Sequence, residues 1–148
     1  MQSQLTFPTR LFVVDDECSL ADLLSLILRN AGFAVETFYD GQQAFDRLAS
    51  GNVPHLVVTD IMMPVLNGIT LTKQILKQWP SCKILFLPSD VQCDFMHEFA
   101  LHVAQIGALR KPAPILEILK EIERLLYAQT SFTAMRSDCR VGSAVSIN

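Results

Sequence analysis

Short apolar runs recur along the chain at 10–14 (RLFVV), 33–38 (FAVETF), 55–59 (HLVVT), 82–87 (CKILFL) and 103–109 (VAQIGAL). Runs of this length, rich in Val, Ile, Leu and Phe, predict buried strands. Between them the apolar positions take on a helical period. Leu20, Leu23, Leu24, Ile27 and Leu28 fall on one face, Ala44, Phe45 and Leu48 on another, and Ile115, Ile118, Leu119, Ile122, Leu125 and Leu126 on a third. A further helix is expected around Val91, Phe95 and Phe99. The punctuation agrees: Gly32 in NAGF should stop the first helix, ASGNVP (49–54) the second and Trp79-Pro80 the third. Five strands alternating with helices imply parallel strands joined by right-handed crossovers. That is an α/β fold, a doubly wound five-stranded parallel sheet with helices on both faces.

The chain has 148 residues, half of them apolar, and a formal charge of −3. It is one domain's worth of sequence, and the charge gives no basic footprint for nucleic acid. No apolar run approaches the roughly 20 residues needed to span a bilayer, and the first ten residues lack the pattern of a signal peptide, so a cytoplasmic protein is expected. Cys18, Cys82, Cys93 and Cys139 are widely spaced and make no C-x-x-C pair, which argues against a zinc site or disulfide framework. The expected division is an N-terminal extension at 1–9, a folded domain at 10–127 and a disordered tail at 128–148. That tail is shorter than the roughly 50 residues a DNA-binding domain needs.

In an open parallel sheet ligands bind beyond the carboxyl ends of the strands. The first strand delivers Asp15 and Asp16 to that edge, the third delivers Asp60, and the fifth is followed by Lys111. Crowded carboxylates repel one another unless a cation neutralises them, and a hard, oxygen-seeking ion such as Mg²⁺ suits a site with few protein ligands. Each residue also has a plainer reading. Asp16 or Ser19 could cap the first helix, Asp60 could open a turn shaped by Pro64, and Lys111 could be a solvated surface lysine. The functional reading rests on their coincidence at three strand ends.

These residues resemble the receiver domain of two-component response regulators. The markers are VVDDE at 13–17, TDIMMPVLNG at 59–68 and Lys111-Pro112, and the resemblance covers about residues 10–127. It implies a flavodoxin-like sheet of order 2-1-3-4-5. It also implies Asp60 as phosphoacceptor, Asp15, Asp16, Asp60 and the Met62 backbone carbonyl as Mg²⁺ ligands, and Lys111 as the contact to the phosphoryl group. The donor implied is a sensor histidine kinase or a histidine phosphotransfer protein. Such a protein catalyses only its own phosphorylation and dephosphorylation, with output through a protein target. An apolar Met62 cannot orient an attacking water, so slow self-hydrolysis is expected.

Two positions depart from the family pattern. Where it carries Thr or Ser at the end of strand four, this chain has Pro88, which offers neither hydroxyl nor N–H; Ser89 is the next candidate. Where an aromatic ring stands three residues before the lysine, this chain has Ala108. A degenerate receiver serving as an interaction or dimerisation module is therefore one rival reading. A Mg²⁺-dependent aspartyl-phosphate phosphatase is another. The apolar-rich segment 91–103, with Phe95, Met96 and Phe99, is expected to pack in the core, with an exposed partner or homodimer surface as the alternative.

Overall fold

The computed structural model describes residues 7–89, 99 and 104–127. The order of elements is β1 (Arg10–Val14), α1 (Cys18–Asn30), β2 (Ala34–Phe38), α2 (Gly41–Ala49), β3 (Leu56–Thr59), α3 (Gly68–Gln78), β4 (Lys83–Phe86) and β5 (Ile106–Ala108), followed by a helix over 115–127. The strands form one sheet in the order β2-β1-β3-β4-β5, with every pairing parallel. The chain leaves β1 toward β2 on one side and later returns to β3 on the other. The switch point therefore lies between β1 and β3.

Alternation along the strands sorts their side chains between two cores. Phe12, Val14, Val57, Ile84 and Phe86 face α2 and α3, where they meet Ala44, Leu48, Leu71 and Ile75. Leu11, Val13, Val58 and Leu85 face α1 and the helix over 115–127, where they meet Leu28, Ile118, Ile122 and Leu125. β1, β3 and β4 are buried at nearly every position, as central strands covered on both faces must be. Each large side chain such as Phe12 or Phe86 taken fully from water contributes on the order of 2–3 kcal/mol.

The helix ends follow the expected punctuation. α1 stops before Gly32, whose φ of 105° is one a glycine adopts freely, and α2 stops before Gly51 at φ 102°. Asp40 caps α2 by accepting the Gln43 N–H at 2.8 Å, and Asn67 caps α3 by accepting the Thr70 N–H at 2.9 Å.

α1 departs from its expected face. Its buried positions are Ala21, Ser25 and Leu28, whereas Leu20 and Leu23 are 40% and 54% exposed. Ser25 is accommodated by the Thr37 hydroxyl, which donates to its oxygen at 2.7 Å, so a polar side chain takes the inward position. The helix expected around Val91 and Phe95 lies outside the described residues. Phe99 is described: it is buried and packs on Phe86 with ring centroids 5.8 Å apart. The tail at 128–148 and residues 1–6 also lie outside them. Among the described residues no helix is long and apolar enough to cross a membrane.

Candidate functional site

The backbone ladder carries the three acids to one edge. The Asp15 N–H donates to the Phe38 carbonyl at 3.1 Å and the Asp60 N–H to the Val14 carbonyl at 3.1 Å, so both residues continue the pairing just past β1 and β3. Asp15 and Asp60 are buried and Asp16 is exposed. One carboxylate oxygen from each lies within 4.8 Å of the others. Lys111, after β5, reaches across this edge. Its Nζ donates to Asp15 Oδ2 at 2.7 Å and to Asp60 Oδ2 at 3.4 Å.

Each acid is held on a second side. Asp15 Oδ1 accepts the Glu17 N–H at 3.0 Å, and Asp60 Oδ1 accepts the Ile61 N–H at 2.8 Å. The N-cap position of α1 belongs to Glu17, whose side chain makes no capping bond, so neither Asp16 nor Ser19 serves as the cap. Burial pushes the Asp60 pKa up and Asp15 adds to the rise, while Lys111 and the Ile61 N–H oppose it; the net direction is upward. Burial disfavours the Lys111 charge, but the hydrogen bond and negative charge of Asp15, helped by Asp60, more than offset it, and its pKa lies above the ordinary value. Lys111 is thus no solvated surface lysine. It is the one cation bonded to the acids among the described residues.

The loop after Asp60 is held tightly. The Gly68 N–H donates to the Ile61 carbonyl at 2.8 Å, and a side chain at Gly68 would overlap the Asp60 carbonyl. Gly41, at the start of α2, abuts the Leu66 carbonyl in the same way. Between these contacts the Leu66 N–H closes on the Pro64 carbonyl at 2.7 Å around Val65, which sits at φ 70°. That is a strained conformation for a β-branched residue, and Val65 is 79% exposed.

At the end of β4, Pro88 is buried and its carbonyl accepts the Lys111 N–H at 2.8 Å. Ser89 is exposed and shares the wall of an apolar cleft with Asp15 and Lys111. Ala108 stands opposite Phe86 in the register and packs against the same core. The Met62 side chain is 66% exposed. The Lys111–Pro112 peptide bond is cis.

The model of the response regulator receiver domain matches residues 11–123. The chain belongs to that family. The receiver is 28% identical over 131 residues to the transcriptional regulatory protein CreB of Escherichia coli K12, covering 88% of this chain and 56% of that protein. It is 32% identical over 117 residues to the alkaline phosphatase synthesis transcriptional regulatory protein PhoP of Bacillus subtilis, covering 79% of this chain and 48% of that one. The chain thus spans about half the length of these relatives. Among solved structures, the receiver resembles the chemotaxis protein CheY4 of Vibrio cholerae, at 27% identity and TM-score 0.71 over 80% of this chain and 99% of that one. A CheY-like receiver domain protein from Methanospirillum hungatei, at 22% identity and TM-score 0.76 over 84% and 98% of the two chains, shares the fold.

The donor set of the receiver suits a hard divalent cation. All three side chains offer carboxylate oxygens, two are fixed by backbone N–H groups and a lysine, and the third, Asp16, faces solvent, where bound water would complete a shell.

Proposed function

We propose that this receiver accepts a phosphoryl group on Asp60 from a phosphohistidine of a sensor histidine kinase or phosphotransfer protein, in a Mg²⁺-dependent reaction, and signals through contact with another protein. The observation that carries the reading is the Asp60 carboxylate: one oxygen takes the Ile61 N–H and the other faces Lys111.

Phosphoryl transfer asks the acceptor for positioning and charge neutralisation. An Asp60 oxygen forms the new O–P bond while the N–P bond of the donor breaks, its electron pair staying on the imidazole nitrogen. Asp15, Asp16, Asp60 and the Met62 carbonyl would hold Mg²⁺, which when bound neutralises charge on the phosphoryl oxygens. Lys111 already spans Asp15 and Asp60, so a modest shift of its ammonium lets it pair with an incoming phosphoryl oxygen. Ser89, which lines the same cleft as Asp15 and Lys111, offers a hydroxyl just past β4 and takes the role that Pro88 cannot. The exposed Met62 offers no hydrogen bond to an attacking water, which favours a long-lived phosphoryl group.

The test is intact-protein mass after incubation with acetyl phosphate, with Mg²⁺ or with chelator, for the wild type and Asp60→Asn. A Mg²⁺-dependent phosphoryl adduct absent from Asp60→Asn is expected. An adduct that persists in Asp60→Asn, or that ignores the chelator, overturns the reading. No adduct from either acetyl phosphate or a cognate kinase leaves the interaction module as the better account.

A further inference from the structure

The edge of the sheet opposite Asp60 is basic. Arg10 opens β1, His55 precedes β3 and Lys83 opens β4. The backbone ladder sets them side by side: the His55 N–H donates to the Arg10 carbonyl at 2.9 Å and the Lys83 N–H to the His55 carbonyl at 3.0 Å. Lys83 is only 5% exposed. It shares the β4 face of Leu85, on the side of the helix over 115–127, and there it lines a cavity of about 330 Å³ together with His55, Ser81, Val53 and Leu126.

Among the described residues no carboxylate pairs with Lys83 or Arg10. Among the described residues, the neighbour acting electrostatically on Lys83 is Cys82, whose thiol burial pushes up to about 12 and so keeps neutral. Burial accordingly pushes the Lys83 pKa down. Arg10 Nη1 donates to the Val53 carbonyl at 3.0 Å, a neutral acceptor. His55 Nδ1 accepts the Arg10 N–H at 3.0 Å, which puts the proton of the neutral ring on Nε2 and leaves that nitrogen a donor. A lysine only 5% exposed, with no carboxylate bonded to it among the described residues, carries a desolvation cost that an arriving anion offsets.

We propose that this cavity binds a small oxyanion, the carboxylate or phosphate group of a small molecule. Lys83 supplies the charge, His55 and Ser81 supply neutral donors, and Val53 and Leu126 receive the apolar remainder. The site lies at the other end of the strands from Asp60 and does not depend on phosphoryl acceptance.

The test uses the full chain carrying Asp60→Asn, without Mg²⁺, titrated at constant ionic strength with inorganic phosphate and separately with acetate. The readout is the backbone amide NMR signals of His55, Cys82 and Lys83, with Ile61 as reference for the opposite edge. Saturable shifts at the first three are expected, weakened about tenfold or more by Lys83→Met, the loss of one charge-assisted hydrogen bond. Saturation by acetate alone assigns a carboxylate ligand, and saturation by phosphate alone a phosphorylated one. A linear response to both anions, or equal affinity in Lys83→Met, overturns the proposal. A second readout guards against altered folding: the saturating anion should raise the Tm of the parent and leave that of Lys83→Met unmoved, and equal rises in both would also overturn it.

Discussion

The ends of β1, β3 and β5 and the end of β4 lie on the same edge of one sheet but are built differently. Around the first three, Asp15, Asp60 and Lys111 each contact another member of the group, at 2.7 and 3.4 Å, and backbone N–H groups fix the carboxylates from behind. At the fourth, Pro88 offers a carbonyl already taken by the Lys111 N–H, and Ala108 presents a methyl group beside Phe86. Accepting a phosphoryl group needs convergent charge; reporting it needs a hydroxyl and a side chain that can change place. The receiver has the convergent charges, while at the end of β4 Pro88 carries no hydroxyl and Ala108 no ring. The ring against Phe86 comes from Phe99, and the available hydroxyl is that of Ser89.

The largest expected effect is at the acceptor half. Gly68→Ala forces a side chain into the Asp60 carbonyl, so it should destabilise the fold by about 3 kcal/mol and nearly abolish phosphorylation, read by urea unfolding and adduct mass. Retained stability together with normal phosphorylation would mean that the loop is not held as described. Lys111→Met comes next. It leaves Asp15 and Asp60 facing each other without their cation, so phosphorylation should slow markedly while Mg²⁺ binds more tightly, as measured by titration calorimetry. Weaker Mg²⁺ binding would show that the lysine organises the acids rather than competing for them.

At the β4 end a smaller effect is expected. Ser89→Ala should slow phosphorylation by acetyl phosphate roughly tenfold if its hydroxyl serves the phosphoryl group, and Pro88→Thr in that background should restore the rate. An unchanged rate in Ser89→Ala would leave the β4 end with no part in the chemistry. The smallest effect lies in the loop between the two halves. Val65→Gly relieves a positive φ at an exposed position and should raise stability by about 1 kcal/mol, seen as a higher urea midpoint, with Asp60 still phosphorylated.

The sequence carried the sheet because its apolar runs are short and nearly continuous where β1, β3 and β4 are buried on both faces: RLFVV is β1 to the residue, and the other strands fall inside their expected ranges. The acids were legible because each directly follows such a run, and the strand order brings those ends together. The face of α1 was less legible. Its leucines outnumber the positions the sheet can cover, and Ser25 turned inward because Thr37 on β2 supplies a hydrogen bond that no local pattern reveals. The second hold on the loop was hidden for a similar reason. The contact of Gly41 with Leu66 joins residues from two helix starts, and only the folded chain brings them together.

The central claim is that Asp60, and no neighbouring acid, carries the phosphoryl group. The most direct measurement is borohydride reduction of the phosphorylated receiver followed by peptide mass mapping, because reduction of an aspartyl phosphate leaves homoserine at the acceptor position. Homoserine at position 60 alone is the expected result. Homoserine at position 15 or 16, or at none of the three in a protein shown by intact mass to be phosphorylated, would contradict the account.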